Sequence, residues 1–414
     1  MAKKTIADVD VKSKRVLMRV DFNVPQDDSG AITDDRRIRM ALPSIRKVLD
    51  GGGRLILMSH LGRPKGKDPE ADKKWTLAPA AKRLGELLNQ EVIFAPDCVG
   101  SEVEKIVAGM TDGQCCLLEN VRFHAAEQIK DKDAAKDSTL REQKDGFARQ
   151  MADMADVYVN DAFGTCHRDN ASMLTVPQQM QGKPRVVGFL VEKELKYLGE
   201  ALNNPQRPFV AILGGKKVSD KIGVIEALLG KCDAVLIGGA MNFTFMCAQG
   251  RSPGKSMIIV EKDKIGEARH LLELGGSKLK LPVDFVAATD LKEGIETQLI
   301  EGDLPDDLRG FDIGPKTCKA YSEIVTNART IVWNGPMGVF EIKPFDVGTI
   351  AIAQVVAETT DGGAISVIGG GDSALAVDKA GLSEKMSHVS TGGGASLEFM
   401  EGKSFAAVEV LDDA

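Results

Sequence analysis

Short apolar runs recur along the whole chain, and most of them end in glycine, asparagine or aspartate. In the first half they are "RVLMRV" (15–20), "RLILMS" (54–59), "CCLLEN" (115–120) and "DVYVND" (156–161). In the second half they are "FVAILG" (209–214), "AVLIGG" (234–239), "VDFVAA" (283–288), "TIVWNG" (330–335) and "AISVIGG" (364–370). Their apolar character is nearly continuous, so each strand needs cover on both faces. Helical patterns such as 76–89 and 222–229 lie between them and supply it. Alternation of this kind predicts an α/β protein built on parallel sheet. At 414 residues the chain is long for one core, which predicts two domains. Between the halves, Val191, Leu195, Leu198 and Leu202 recur at helical spacing until Asn203-Asn204-Pro205. They predict an amphipathic helix within 186–208 as the joint. The charged stretch 127–145 lacks apolar periodicity and reads as a solvated surface excursion.

The net charge of −7 argues against general binding to nucleic acid or anionic membranes. The N-terminus, MAKKTIADVD, has no apolar stretch behind its lysines, and no run is long enough to span a bilayer. Seven scattered cysteines, an odd number, point to reduced thiols in the cytoplasm. The vicinal pair Cys115-Cys116 lies inside an apolar strand and reads as core.

Strand exits in the first half deliver cations. Arg19, Asp21 and Asn23 share one parity, and Arg36, Arg37 and Arg39 open the helix that follows. "SHLGRP" brings His60 and Arg63, "ENVRFH" brings Asn120, Arg122 and His124, and "DAFGTCHRDN" brings Asp161, His167 and Arg168. Open α/β sheets bind ligands at the carboxyl ends of their strands. Clustered guanidinium groups repel one another unless an anion joins them, and their forks match carboxylate and phosphate oxygens. The first half therefore reads as a cleft for a small, highly anionic molecule.

In the second half the exits carry glycine: Gly214-Gly215, Gly238-Gly239, "NGPMGVFE" (334–341), "GGGDS" (369–373) and "STGGGAS" (390–396). Glycine lets backbone N–H groups approach phosphate oxygens closely. "AILGGKKVSDKIGVIEALLG" (211–230) reads as strand, glycine turn and helix, although G-x-x-x-x-G-K-[ST] cannot be written onto it. Lys217 and Lys221 stand four apart, so one helical face could present both ammonium groups to a polyphosphate. Asp372 suits Mg²⁺ and Glu341 suits ribose hydroxyls. A nicotinamide-dependent dehydrogenase would share the architecture, but G-x-G-x-x-G with a later acidic partner is missing. A non-catalytic anion-binding scaffold is the other alternative, and it would have little use for Lys221 and Asp372 together.

"RVDFNVP", "SHLGRP", "LLENVRF", "NDAFGTCHR", "LGGKKVSDKI", "WNGPMGVFE", "GGGDS" and "STGGGAS", in this order along essentially the whole chain, resemble the phosphoglycerate kinase family. The resemblance implies two Rossmann-like three-layer α/β/α domains with mainly parallel sheets, facing each other across a cleft. It implies reversible transfer of phosphate between 1,3-bisphosphoglycerate and ADP, giving 3-phosphoglycerate and ATP, with Mg²⁺ held at Asp372 and closure of the domains. Arg19, Asp21, Asn23, Arg37, His60, Arg63, Arg122 and Arg168 match the family's glycerate-side positions. Lys217, Lys221, Gly238, Gly239, Asn334, Pro336, Glu341, Gly370, Gly371, Asp372 and Ser373 match the nucleotide side. Arg37, Lys217, Lys221, Gly371 and Gly394 match the positions that serve the transfer itself.

The resemblance also implies a substrate domain over 1–185, with a tail from about 403 to 414 returning to it. A nucleotide domain over 186–402 would begin with the joining helix, about 186–204. A cytoplasmic monomer acting on small molecules, not on nucleic acid or membranes, is implied as well. Four positions depart from the family pattern: Lys216 where a small residue is common, Ser373 for threonine, Ala240 for glycine and Cys166 for alanine. The chemistry suits the residues. The attacking carboxylate of 3-phosphoglycerate is already ionised at neutral pH, so no general base is required. Alignment and positive charge are what the transition state needs.

Overall fold

A computed structural model of the chain describes residues 2–64 and 72–414. Contacts divide it into two compact units: Met1–Glu194 with Ser404–Ala414, and Leu195–Lys403.

The first unit is built on β1 (Arg15–Val20), β2 (Arg54–Met58), β3 (Val92–Phe94), β4 (Cys115–Leu117), β5 (Val157–Asp161) and β6 (Arg185–Val187). They form one parallel sheet in the order β3-β4-β2-β1-β5-β6. Val16, Met18, Leu55 and Leu57 pack with Ile38, Ile45 and Val48 of the helix Arg36–Asp50. The alternate residues Leu17, Ile56, Cys116 and Tyr158 are buried as well, as continuous apolar runs require. No disulfide joins any of the seven cysteines. Burial pushes the Cys116 thiol up to about 12 and Cys115 higher still, so the vicinal pair is inert core. The C-terminal segment belongs to this unit. Asp412 accepts from Arg185 at 2.9 Å, and Asn160 Nδ2 donates to the carbonyl of Ala407 at 3.2 Å.

The second unit holds β7 (Phe209–Leu213), β8 (Ala234–Ile237), β9 (Leu279–Lys280), β10 (Asp284–Ala288), β11 (Gln298–Glu301), β12 (Arg309–Ile313), β13 (Thr330–Asn334), β14 (Ile365–Gly369) and β15 (His388–Val389). Six of these make a parallel sheet in the order β15-β14-β13-β7-β8-β9. Val210, Ile212, Ile331 and Trp333 pack there against Tyr321, Val325, Ile352 and Val356 of the flanking helices.

Several sequence expectations change. The run 283–288 does not join the parallel sheet. As β10 it centres a separate antiparallel sheet, β11-β10-β12, with its own core around Phe243, Phe285 and Leu308. The joining helix spans Phe189–Asn203, because Arg185–Val187 is spent as an edge strand beside β5. The contact division falls inside that helix, after Glu194, where the linear reading places the break at 185/186. A further change concerns 127–145 and belongs to the site.

Candidate active site

Sheet order explains why cations separated in sequence meet in the first unit. β4, β2, β1 and β5 are neighbours, so their carboxyl ends bring Arg122, His60, Arg19 and the loop of Arg168 to one edge. Arg19, 1% exposed, donates from Nη2 to His60 Nδ1 at 3.1 Å. Arginine can only donate, so Nδ1 is the acceptor and the imidazole proton sits on Nε2. Burial holds His60 well below its ordinary value, and the fields of Arg19, Arg122, Arg168 and Arg37 add to the effect. His60 is therefore a neutral donor at pH 7. Burial lowers Arg122 to about 10, with Arg168 and Arg19 pushing the same way. Cations that press on one another are relieved by an anion. Arg122 Nη1 donates to the Gly62 carbonyl at 2.7 Å, and Asn23 Oδ1 accepts from Gly62 N at 2.8 Å. These two bonds shape the turn that carries exposed Arg63. Arg37 pairs with Asp21 at 2.9 Å.

The stretch 127–145 is more than a surface excursion. Residues Ser138–Asp153 form a helix that buries Phe147, Ala148 and Met151. Lys144, fully buried, donates to Asp131 Oδ1 at 2.8 Å and to the Asp169 carbonyl at 2.6 Å. Asp131 N donates to Asp169 Oδ2 at 2.7 Å. The segment thus braces the residue after Arg168, and it also supplies Glu127, which sequence reasoning missed. Asp97, Cys98 and His124 bring their ligating atoms within 4.8 Å of one another. They spend those atoms on each other. His124 Nε2 meets Asp97 Oδ1 at 2.6 Å, while burial and Asp97 hold the Cys98 thiol protonated. With His124 stacked on Phe147 at 5.0 Å, the trio ties this end of the sheet to the Ser138–Asp153 helix. Cys166 is equally inert, buried and raised to about 12.

In the second unit the exits of β7, β8 and β13 touch backbone to backbone. A Cβ on Gly214 would lie 1.9 Å from the Pro336 carbonyl oxygen. On Gly239, whose φ is +67°, it would lie 2.5 Å from Gly215 N. Only glycine permits these approaches. Lys221 is the N-cap residue of the helix Ile222–Leu229. Its ammonium donates to the Asn334 carbonyl at 2.7 Å and to Asn334 Oδ1. Burial lowers it to about 7, opposed by Asp372 and Asp220. Lys217 does not share a helical face with it, because the helix starts only after Lys221. Lys217 is exposed, and its charge acts on Glu261.

A cavity of about 250 Å³ is lined by Lys216, Lys217, Lys221, Asn334 and Gly370 to Ser373. It shares Gly215, Lys216 and Asp372 with a second cavity, of about 320 Å³. The latter is walled by Ala240, Phe243, Phe285, Phe311, Met337 and Val339, with Gly239, Pro336 and Glu341 also on its lining. A lysine- and glycine-lined cavity that shares lining residues with a larger, more apolar one suits a nucleotide. The Ser373 hydroxyl accepts from Gly335 N at 2.5 Å. Gly238 and Gly394 line neither cavity. Gly238 packs instead against Met337, and Gly394 opens the helix Gly394–Met400. The aromatic wall comes largely from the antiparallel sheet, and no motif announced it.

A parallel sheet with an arginine-rich strand edge in one unit, and a cavity lined by glycines and lysines in the other, fit an α/β phosphotransferase. Comparison with known proteins identifies which kind. Residues 6–403 match the family described as phosphoglycerate kinase. A phosphoglycerate kinase of Rhodopirellula baltica is 57% identical over the full length of both chains. One from Chlorobium phaeobacteroides is 54% identical, again over all of both. The solved structure of phosphoglycerate kinase from Coxiella burnetii is 39% identical with a TM-score of 0.83, covering 99% of this chain and 98% of that one. The chain belongs to the phosphoglycerate kinase family. It is a kinase of glycolysis that reversibly transfers a phosphoryl group between 1,3-bisphosphoglycerate and ADP, yielding 3-phosphoglycerate and ATP.

Proposed function

We propose that Arg19, Asp21, Asn23, Arg37, His60, Arg63, Arg122 and Arg168 hold 3-phosphoglycerate in the first unit. Lys217, Lys221, Gly239, Asn334, Pro336, Glu341 and Gly370 to Ser373 hold ATP or ADP in the second, with Gly238 and Gly394 shaping the loops behind them. The observation that carries this reading is that buried Arg19 and Arg122 and the loop of Arg168 converge at one strand edge on His60, whose Nδ1 accepts from Arg19 at 3.1 Å. In the ATP-consuming direction the substrate carboxylate attacks the terminal phosphorus without a general base. Arg37 and Lys221 then neutralise charge that develops on the group in flight. Turnover of 3-phosphoglycerate with ATP and Mg²⁺ in a coupled assay tests the assignment. Failure of Arg63→Ala and Arg122→Ala to weaken 3-phosphoglycerate binding would overturn it.

Asp372 suits a magnesium nucleotide. It is an exposed carboxylate at the junction of the two cavities, and one carboxylate with several waters is a common Mg²⁺ shell. When bound, the ion neutralises phosphate charge. We take the enzyme to be cytoplasmic, a reading supported by its free cysteines. We take it to act as a monomer on small molecules, not nucleic acid, and light scattering checks the mass.

The proposed glycerate ligands all precede residue 170 and the proposed nucleotide ligands all follow 210, so transfer calls for closure of the two units. Reacting atoms must approach within about 3–3.5 Å with water excluded. The radius of gyration is expected to shrink only with both substrates bound. X-ray scattering in which the ternary sample matches the ligand-free one would refute closure.

A pH effect follows from Lys221. At about 7 it is half protonated in the ligand-free enzyme near neutrality, and a bound phosphate favours the charged form. Nucleotide binding at pH 7.5 should take up a fraction of a proton, and affinity should weaken as pH rises from 7 toward 9. Calorimetry in buffers of different ionisation enthalpy reads the uptake. Zero uptake, or the same uptake in Lys221→Met, would remove Lys221 as its source.

A further inference from the structure

Glu127 is 1% exposed and lies outside every proposed substrate contact. Both of its oxygens go to one residue. Oε2 accepts from Ser172 N at 2.8 Å, and Oε1 accepts from Ser172 Oγ at 2.7 Å. With its proton committed to the carboxylate, that hydroxyl has a lone pair left for Arg19 Nε, at 2.9 Å. Arg19 in turn donates from Nη2 to His60 Nδ1 at 3.1 Å. Donation is therefore directional at every link: imidazole receives from guanidinium, guanidinium gives to hydroxyl, hydroxyl gives to carboxylate. Ser172 cannot drift, because it sits in the π-helical turn Ala171–Thr175 and Tyr158 Oη donates to its carbonyl at 2.9 Å. Asn170 Nδ2 fixes the Glu127 carbonyl at 2.9 Å. Burial raises the Glu127 carboxyl, and Arg19, Ser172 and Arg122 hold it down.

We infer that Glu127 is a positioning residue for substrate recognition. Through Ser172 it sets the direction in which Arg19 and His60 present their remaining N–H groups, and it is the inner counter-charge of the arginine cluster. This rests on the reading of that strand edge as the 3-phosphoglycerate site. Three arginines bear on His60 from the same edge as Arg19. Without an inner carboxylate their repulsion would turn Arg19 outward and dissolve the directional chain.

The test compares Glu127→Gln, Ser172→Ala and the double variant in steady-state kinetics. Glu127→Gln should raise KM for 3-phosphoglycerate about tenfold and Ser172→Ala about threefold, with KM for ATP within about twofold of the parent. The double variant should be no worse than Glu127→Gln, since both changes cut one chain. A packing role alone would lower the melting temperature and give additive losses without this split between substrates. If Glu127→Gln does not fold, Ser172→Ala reads the same split. Unchanged 3-phosphoglycerate KM in either folded single variant, or additivity in the double, overturns the relay. Arg19→Ala separates the two failures. If it binds 3-phosphoglycerate normally, the site reading itself falls. If it loses affinity while Glu127→Gln and Ser172→Ala do not, only the relay falls.

Discussion

Lys221→Ala is expected to lower kcat by about 10² or more, with smaller changes in KM for both substrates. The side chain is a buried ammonium resting on Asn334, in a cavity also lined by Gly370 to Ser373 at the start of the helix Gly371–Lys379. Such a group gains most when negative charge moves toward it, because there is little water to screen the interaction. The proposed nucleotide site offers other donors too, so ground-state affinity should fall less than rate. The loss would not be a loss of fold. Lys221 stands at about 7, below its ordinary 10.5, so folding disfavours its proton. The native state therefore carries the full penalty below pH 7, and the penalty fades as pH rises toward 10.5. Removing the ammonium should leave the melting temperature at pH 7 or below unchanged or higher. A variant whose kcat stays within about threefold of the parent would take Lys221 out of the transfer step.

What was legible in the sequence, and what was not, follows from where the forces come from. The run 15–20 is β1 as quoted, and 222–229 is a helix with those bounds, because their apolar patterns are strong and their ends are marked. Each strand exit in the first half was readable for the same reason. Direction of pairing was readable for the two six-stranded sheets but not for one run. The run 283–288 is as apolar as its neighbours, yet its partners β11 and β12 are antiparallel, because a continuous apolar run shows that both faces are covered without fixing the direction of the strands beside it. Buried charge was also invisible. Glu127 and Lys144 sit in a stretch that hydropathy assigns to solvent, and their partners Ser172 and Asp169 lie 45 and 25 residues away. The pairing of Lys217 with Lys221 failed because residue spacing implies a shared face only inside a helix.

Arg37→Ala should cost as much as Lys221→Ala, and for a related reason. Arg19 and Arg122 are buried and held by fixed acceptors, which suits them to binding substrate in one pose. Arg37 differs. It is the second residue of the helix Arg36–Asp50, its side chain is 34% exposed, and it pairs with the carboxylate of Asp21 at 2.9 Å. An ion pair that exposed is worth roughly 0–1 kcal/mol, so an arriving phosphoryl group can displace Asp21 at a cost of about fivefold in affinity or less. A guanidinium that leaves one anion for another during the reaction contributes to the transition state more than to the ground state. Arg37→Ala should therefore lower kcat by about 10² or more while KM for 3-phosphoglycerate rises by less than tenfold. Arg37→Lys, which restores the charge without the fork, should recover only part of the rate. Single-turnover measurements at saturating substrates isolate the transfer from binding and release. If Arg37→Ala raises KM tenfold or more and leaves the single-turnover rate intact, Arg37 is one more ground-state ligand, and the charge on the group in flight must be met by Lys221 without it.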